Sequence, residues 1–156
     1  MIETPHVTKF AGLTTAVIHF TIAREEIRSV MGKGIQELLA TIAANGIAPS
    51  GPVFAHHFRM HPRTFDFEIG VPVLRPVSPK GSVVPGDLPA AMVARTVYHG
   101  RYEGLGPAWG EFHAWVAANG HRARPDLWEC YVSGPESGPD PAQWRTELNQ
   151  PLIQNP

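Results

Sequence analysis

A chain of 156 residues, 43% of them hydrophobic, is long enough to bury one substantial core and too short for several independent domains. Its 13 Lys and Arg stand against 14 Asp and Glu with no run of either sign, so the basic face that the phosphate backbone of a nucleic acid requires is missing. No apolar stretch approaches the ~18 residues of a membrane span, and Met1–Pro5 is not the start of a secretory leader. The expected location is therefore cytoplasmic, and the single Cys130, which excludes an internal disulfide, agrees with a reducing compartment.

In chain order, Val7–Phe10 and Thr14–Phe20, divided by Gly12, have the β-branched and aromatic content of strands. A helix is predicted from about Ala23 to Ala44, with Ile27, Met31, Ile35, Leu38, Leu39 and Ile42 recurring at threes and fours. Asn45-Gly46 ends it, and Pro49 and Pro52 forbid its resumption. Strands follow at Val53–Arg59 and Phe65–Val73, the latter alternating apolar and polar residues as a strand with one buried face does. A Pro- and Gly-rich connector carries a short strand at Val83-Val84, and another strand runs from Ala91 to Tyr98. A second helix from about Gly104 to Ala118 repeats the stripe with Leu105, Trp109, Phe112 and Val116 and is stopped by Asn119-Gly120. Leu127–Val132 and Trp144–Leu148 are the closing strands.

These elements occur twice. Residues 35–58 echo residues 109–132 at a constant offset of 74, Gly46 lying over Gly120, and residues 68–73 echo 147–152 at an offset of 79. The second copy therefore carries five additional residues between its last two strands. The half-repeats run about 5–75 and 82–153 within one domain of residues 1–156, each reading strand, strand, helix, strand, strand. The sum is an α+β protein with two long helices on a curved antiparallel sheet, and the seam between the halves is the natural place for a cleft.

Glu129, in Leu127-Trp128-Glu129-Cys130-Tyr131-Val132, is the sharpest anomaly, because a carboxylate among aromatic rings is costly unless something pairs with it. Alternation places Trp128, Cys130 and Val132 on one face and Glu129 and Tyr131 on the other. With the more apolar face expected against the second helix, Glu129 and Tyr131 look away from it, toward the seam, where Ala55 and His57 are their repeat equivalents. A cationic ligand is one partner for the acid; Arg95, Arg122, Arg145 or plain solvent are others. Tyr102 and Trp109, seven residues apart, reach one wall of a cavity together if they are not ordinary core. A metal site is disfavoured: in His56-His57 and His61, adjacent strand residues point to opposite faces, and no thiol or carboxylate stands at ligand spacing. No nucleophile elbow and no phosphate-binding loop is visible, and no cofactor is expected. Cys130 reads as a small core residue.

Ala94–Leu105 with its Tyr98-His99-Gly100-Arg101-Tyr102 turn, Ala108-Trp109 through Trp115, Trp128–Val132 and Thr146–Leu148 together resemble GyrI-like small-molecule-binding domains, the gyrase-inhibitory-protein type that also serves AraC- and MerR-type regulators as an effector-binding domain. The resemblance spans nearly the whole chain. It implies two strand-helix-strand-strand modules about a pseudo-two-fold axis with a ligand cleft between them, and a glutamate at the Glu129 position that receives lipophilic cations. The turn departs from the frequent Gly-Pro-Tyr by Arg101, and nothing before Val7 reads as a helix-turn-helix, so a free-standing domain without a DNA-binding part is expected.

Three functions follow. The first is a binding protein that captures lipophilic compounds, cationic ones among them, with Glu129 as counter-charge and Tyr131, Tyr98, Tyr102, Trp109 and His57 as walls. The second is a metal-independent hydrolase of strained, cyclopropanoid electrophiles with Glu129 as general base. The third is an interaction protein of the gyrase-inhibitor kind. The oligomeric state is left open between monomer and dimer.

Overall fold

The computed structural model describes residues 1–154. Eight strands and two helices follow the predicted order: β1 (His6–Phe10), β2 (Leu13–Ala23), α1 (Ile27–Ala44), β3 (Phe54–Met60), β4 (Thr64–Pro72), β5 (Val84–Leu88), β6 (Ala91–His99), α2 (Leu105–Ala118), β7 (Leu127–Ser133) and β8 (Arg145–Pro151). Short 3-10 turns lead into both helices, Arg24–Glu26 before α1 and Tyr102–Gly104 before α2. The fold is α+β, and every strand pairing described below is antiparallel. No helix among the described residues is long and apolar enough to cross a membrane.

The chain divides into two compact units, one of residues Ala11–Ala90 and one of Met1–Phe10 with the chain from Ala91 onward. In the N-terminal unit the strands run β5-β2-β4-β3, with α1 between β2 and β3 in sequence. In the C-terminal unit they run β1-β6-β8-β7, with α2 between β6 and β7. The order is the same in both. Each copy's leading strand is exchanged, since β1 pairs with β6 and β5 pairs with β2.

The 74-residue echo extends to details that no composition argument reaches. Register shifts fall between His57 and Arg59 in β3 and between Tyr131 and Ser133 in β7, at equivalent positions. Asn45 and Asn119 each donate a side-chain N–H to the carbonyl four residues back, Thr41 and Trp115, at 2.8 Å. Gly46 and Gly120 then turn the chain at φ of 69° and 77°, a left-handed conformation that only glycine takes without strain. α1 has 18 residues and α2 has 14, the difference being about one turn at the N-terminal end.

Burial follows the predicted stripes with two departures. On α1 the buried positions are Gly34, Leu38, Thr41 and Ile42, while Leu39 is exposed because it falls one position off the stripe. In β4 the expected face is buried at Phe67, Ile69 and Val71, yet Gly70 and Pro72 are buried too, so the end of this strand is covered on both faces. Phe54 occupies the place where Gly70 has no side chain. The core of the C-terminal unit is Ala94, Tyr98, Ala108, Phe112, Val116, Leu148 and Leu152, with Leu105, Trp109 and Trp115 packed at its margin.

Candidate functional site

Register determines what Glu129 faces. It pairs across the ladder with Leu148 of β8, which pairs with Thr96 of β6, and Tyr131 lies beside Thr146, which lies beside Tyr98. Leu148 and Tyr98 belong to the core that α2 covers. Glu129 and Tyr131 therefore project on the helix side of the sheet, contrary to the expectation that Trp128, Cys130 and Val132 take that side. The more apolar face has a different cover: Trp128 packs on Phe10 at 5.0 Å between ring centroids, and Val132 is half exposed.

Under the helix, Glu129 is 8% exposed and accepts two hydrogen bonds, from the Trp109 indole N–H at 2.7 Å and the Tyr131 hydroxyl at 2.9 Å. Burial pushes its carboxyl above the ordinary carboxylate range, and the two donors pull part of the way back. Among the described residues the side-chain partners of Glu129 are Trp109 and Tyr131, and Arg95 is engaged on the opposite face with Asn149 at 2.7 Å and Glu147 at 3.5 Å. Burial and then the neighbouring Glu129 charge hold the Tyr131 hydroxyl well above its ordinary value, so it remains a donor. Among the described residues the arrangement is a buried acid served by neutral donors, with no cation against it.

Around this pair, Tyr102 stands edge-on to Tyr131 at 6.0 Å between ring centroids and also meets Trp144 at 5.9 Å. Trp109 is flanked by Phe112 and His113 at 5.7 and 5.3 Å. His113 is fixed from behind by Gln150, whose amide nitrogen faces the carbonyls of Arg124, Asp126 and Pro151 at 2.8–3.0 Å. Its amide oxygen must then accept, which assigns the proton of His113 to Nε2 at 2.8 Å.

Of the residues singled out from sequence, Glu129, Tyr131, Trp109 and Tyr102 meet at one place. Tyr98 shares their face but is buried two strands away, its hydroxyl donating to the Arg101 carbonyl at 2.8 Å. His57 belongs to the N-terminal unit, stacked on Phe67 at 5.0 Å and edge-on to Phe65 at 5.1 Å. Trp144 and the His113–Gln150 pair escaped the sequence reading; the only hint of Trp144 was the five-residue insertion just before it. Among the described residues no three of His, Cys, Asp and Glu are placed to hold a metal.

The Tyr98 hydroxyl also explains the turn that carries Tyr102. A Cβ at Gly104 would collide with it. Gly104→Ala is expected to cost about 1–3 kcal/mol by overpacking, and Tyr98→Phe, which removes the obstructing oxygen, should return part of that loss in the double variant. Additive losses in thermal unfolding would refute the contact. Cys130, half-buried, has its thiol pushed up to about 12, chiefly by burial and then by Glu147. Native protein at pH ~8 should resist iodoacetamide and the unfolded chain should not; rapid native alkylation, followed by mass spectrometry, would contradict this.

With this geometry established, the comparisons place the chain. The family model of the GyrI-like small molecule binding domain matches residues 3–152, and the chain belongs to that family. No curated protein matches the chain. Among solved structures it is similar to the C-terminal domain of EcmrR, with 18% identity, a TM-score of 0.85, and coverage of 97% of this chain and 98% of that one. Against EcmrR in its complex with DNA, the TM-score is 0.84, and the chain spans only 58% of that protein's length. SAV2435 bound to tetraphenylphosphonium is similar at 14% identity and a TM-score of 0.67, with 97% and 94% covered. A hydrolase from Listeria innocua is similar at 12% identity and a TM-score of 0.65, with 96% and 91% covered. At these identities the likeness to solved structures is one of fold.

Proposed function

We propose that this GyrI-like domain captures lipophilic cations at Glu129. The observation that carries the reading is the buried carboxylate whose hydrogen-bond partners, Trp109 and Tyr131, are both neutral. An isolated buried charge is worth several kcal/mol of desolvation, which the free protein relieves by shifting toward the protonated acid. A cation stripped of water supplies the missing charge, and the faces of Trp109, Tyr131 and Tyr102 add quadrupole attraction of about 0.5–2 kcal/mol each. SAV2435, similar in fold, is seen bound to such a compound, tetraphenylphosphonium.

Proton and cation compete for one carboxylate in this account. Affinity for tetraphenylphosphonium should rise with pH through the raised pKa of Glu129 and level off above it, while affinity for neutral triphenylphosphine oxide stays flat. Titration calorimetry across that range tests this, and parallel profiles for the two compounds would remove Glu129 from the reading.

A second reading has its own observation. A glutamate of raised pKa beside a tyrosine hydroxyl is also a general base with an orienting donor, and the similar Listeria innocua protein is described as a hydrolase. Here Glu129 would take a proton from a water as the water oxygen attacks a strained ring carbon, the ring bond would break with its electrons leaving to the adjacent carbon, and that carbon would receive the proton from Glu129, restoring the carboxylate and adding one water overall. A water-added product that disappears in Glu129→Gln would establish it.

A further inference from the structure

Exposure falls along a short aromatic path into the site. Tyr102 is 38% exposed, Tyr131 behind it is partly covered, and Glu129 beneath Tyr131 is 8% exposed. Tyr102 is the only member of the path both open to solvent and in ring contact with Tyr131, the residue whose hydroxyl occupies the carboxylate. Its backbone lies on the 3-10 turn Tyr102–Gly104, beneath which the Tyr98 hydroxyl donates to the Arg101 carbonyl and sits against Gly104.

What holds that side chain in place comes from the segment where the two copies differ. Between β7 and β8 the second copy is five residues longer, the offset rising from 74 at Ser133 to 79 at Pro151, and this connection folds on itself. Gly134 N–H donates to Glu136 at 2.8 Å, Ser137 donates its hydroxyl to the Gly134 carbonyl at 2.7 Å, and Asp140 accepts from Ala142 N–H at 3.0 Å. Its last residue, Trp144, donates its indole N–H to the Gly138 carbonyl at 2.9 Å and lays its ring against Tyr102. The Tyr102 hydroxyl sits against Gly134, where any Cβ would collide with it.

We propose that Tyr102 is the gate of the Glu129 site and that the inserted connection, through Trp144 and Gly134, is the latch that holds it shut. The gate rests on the reading of Glu129 as the binding carboxylate. To admit a ligand, the Tyr102 ring swings off Tyr131, Tyr131 releases the carboxylate, and aromatic groups of the entering cation take over the ring contacts that Trp144 and Tyr131 lose. Flat or multiply phenylated cations are the class favoured by such an exchange, since an aliphatic ammonium of equal charge brings cation–π attraction but no ring to replace the ring–ring contacts.

Stopped-flow binding of tetraphenylphosphonium tests it. Trp144→Ala should raise association and dissociation rates by about tenfold while changing Kd much less, because the latch governs passage more than the bound state, and Tyr102→Ala, which also removes a ring that faces the ligand, should raise association by about tenfold and dissociation by more. Tyr102→Phe should lie much closer to wild type than to Tyr102→Ala, since it keeps the ring that blocks the path and the Trp144 contact and gives up only the hydroxyl's contact at Gly134. Rates within twofold of wild type in both alanine variants, or Tyr102→Phe behaving like Tyr102→Ala, would overturn the gate. A ligand-free readout separates this from the binding reading: followed by carboxyl NMR, the Glu129 pKa should fall toward the ordinary range in Tyr102→Ala as water enters. An unchanged pKa overturns the gate even where the cation binds at Glu129, and a lowered pKa sustains it even where tetraphenylphosphonium does not bind.

Discussion

Glu129→Gln is expected to weaken tetraphenylphosphonium binding by about 2 to 5 kcal/mol, roughly thirtyfold or more in Kd, and to leave triphenylphosphine oxide nearly unaffected. The substitution keeps the shape of the site. A glutamine oxygen still accepts from the Trp109 indole 2.7 Å away, and its amide nitrogen can donate to the Tyr131 hydroxyl oxygen, so both partners keep a hydrogen bond to the side chain although the Tyr131 proton must turn to another acceptor. What is lost is the charge. Because that charge is itself costly to bury in the free protein, the variant should melt at the same temperature as wild type or slightly higher. Equal weakening of the neutral and the cationic compound would show that Glu129 only shapes the pocket, and a large drop in melting temperature would show that it is a structural linchpin.

The second large effect concerns His57 and acid. Burial first, then the neighbouring His56 and Arg24, lower its pKa from the usual 6.5 to about 4. Its Nδ1 has no hydrogen-bond partner among the described residues, and its ring packs against both Phe65 and Phe67, so no acceptor is at hand for a second proton. Between pH 6.5 and 4 the unfolded chain binds a proton that the folded one refuses. Stability is therefore full above the unfolded pKa and is lost as pH falls, by about 3 kcal/mol over that window from this group alone. His57→Phe should flatten the slope of unfolding free energy against pH between 6.5 and 4, measured by urea denaturation. A slope unchanged by the substitution would assign the acid sensitivity to other groups.

Much of this architecture was legible because it is written twice. Asn45-Gly46 and Asn119-Gly120 mark the same helix end in both copies, and the bulges at His57/Arg59 and Tyr131/Ser133 occupy equivalent positions. Strand partners were another matter. Val7–Phe10 announces a strand by its residues, but local pattern carries no information on which strand it will join, and it pairs with β6, more than 80 residues on. The orientation of Glu129 was misread for a related reason. Alternation says which residues share a face and not which face receives the helix, and counting apolar groups favoured Trp128, Cys130 and Val132. Trp128 instead found Phe10, contributed by the distant β1. Trp144 was missed because its place against Tyr102 depends on the folding of an irregular loop, where no periodicity exists to be read.

At Glu129 a bound cation is expected to take the place of the proton and of the hydroxyl. A crystal structure of the chain with tetraphenylphosphonium should then show the phosphorus centre within about 6 Å of the ring faces of the site, the distance over which cation–π attraction acts, with the Glu129 carboxylate facing it and the Tyr131 hydroxyl no longer at 2.9 Å from that carboxylate. A ligand bound elsewhere, with Trp109 and Tyr131 both still donating to Glu129, would contradict it.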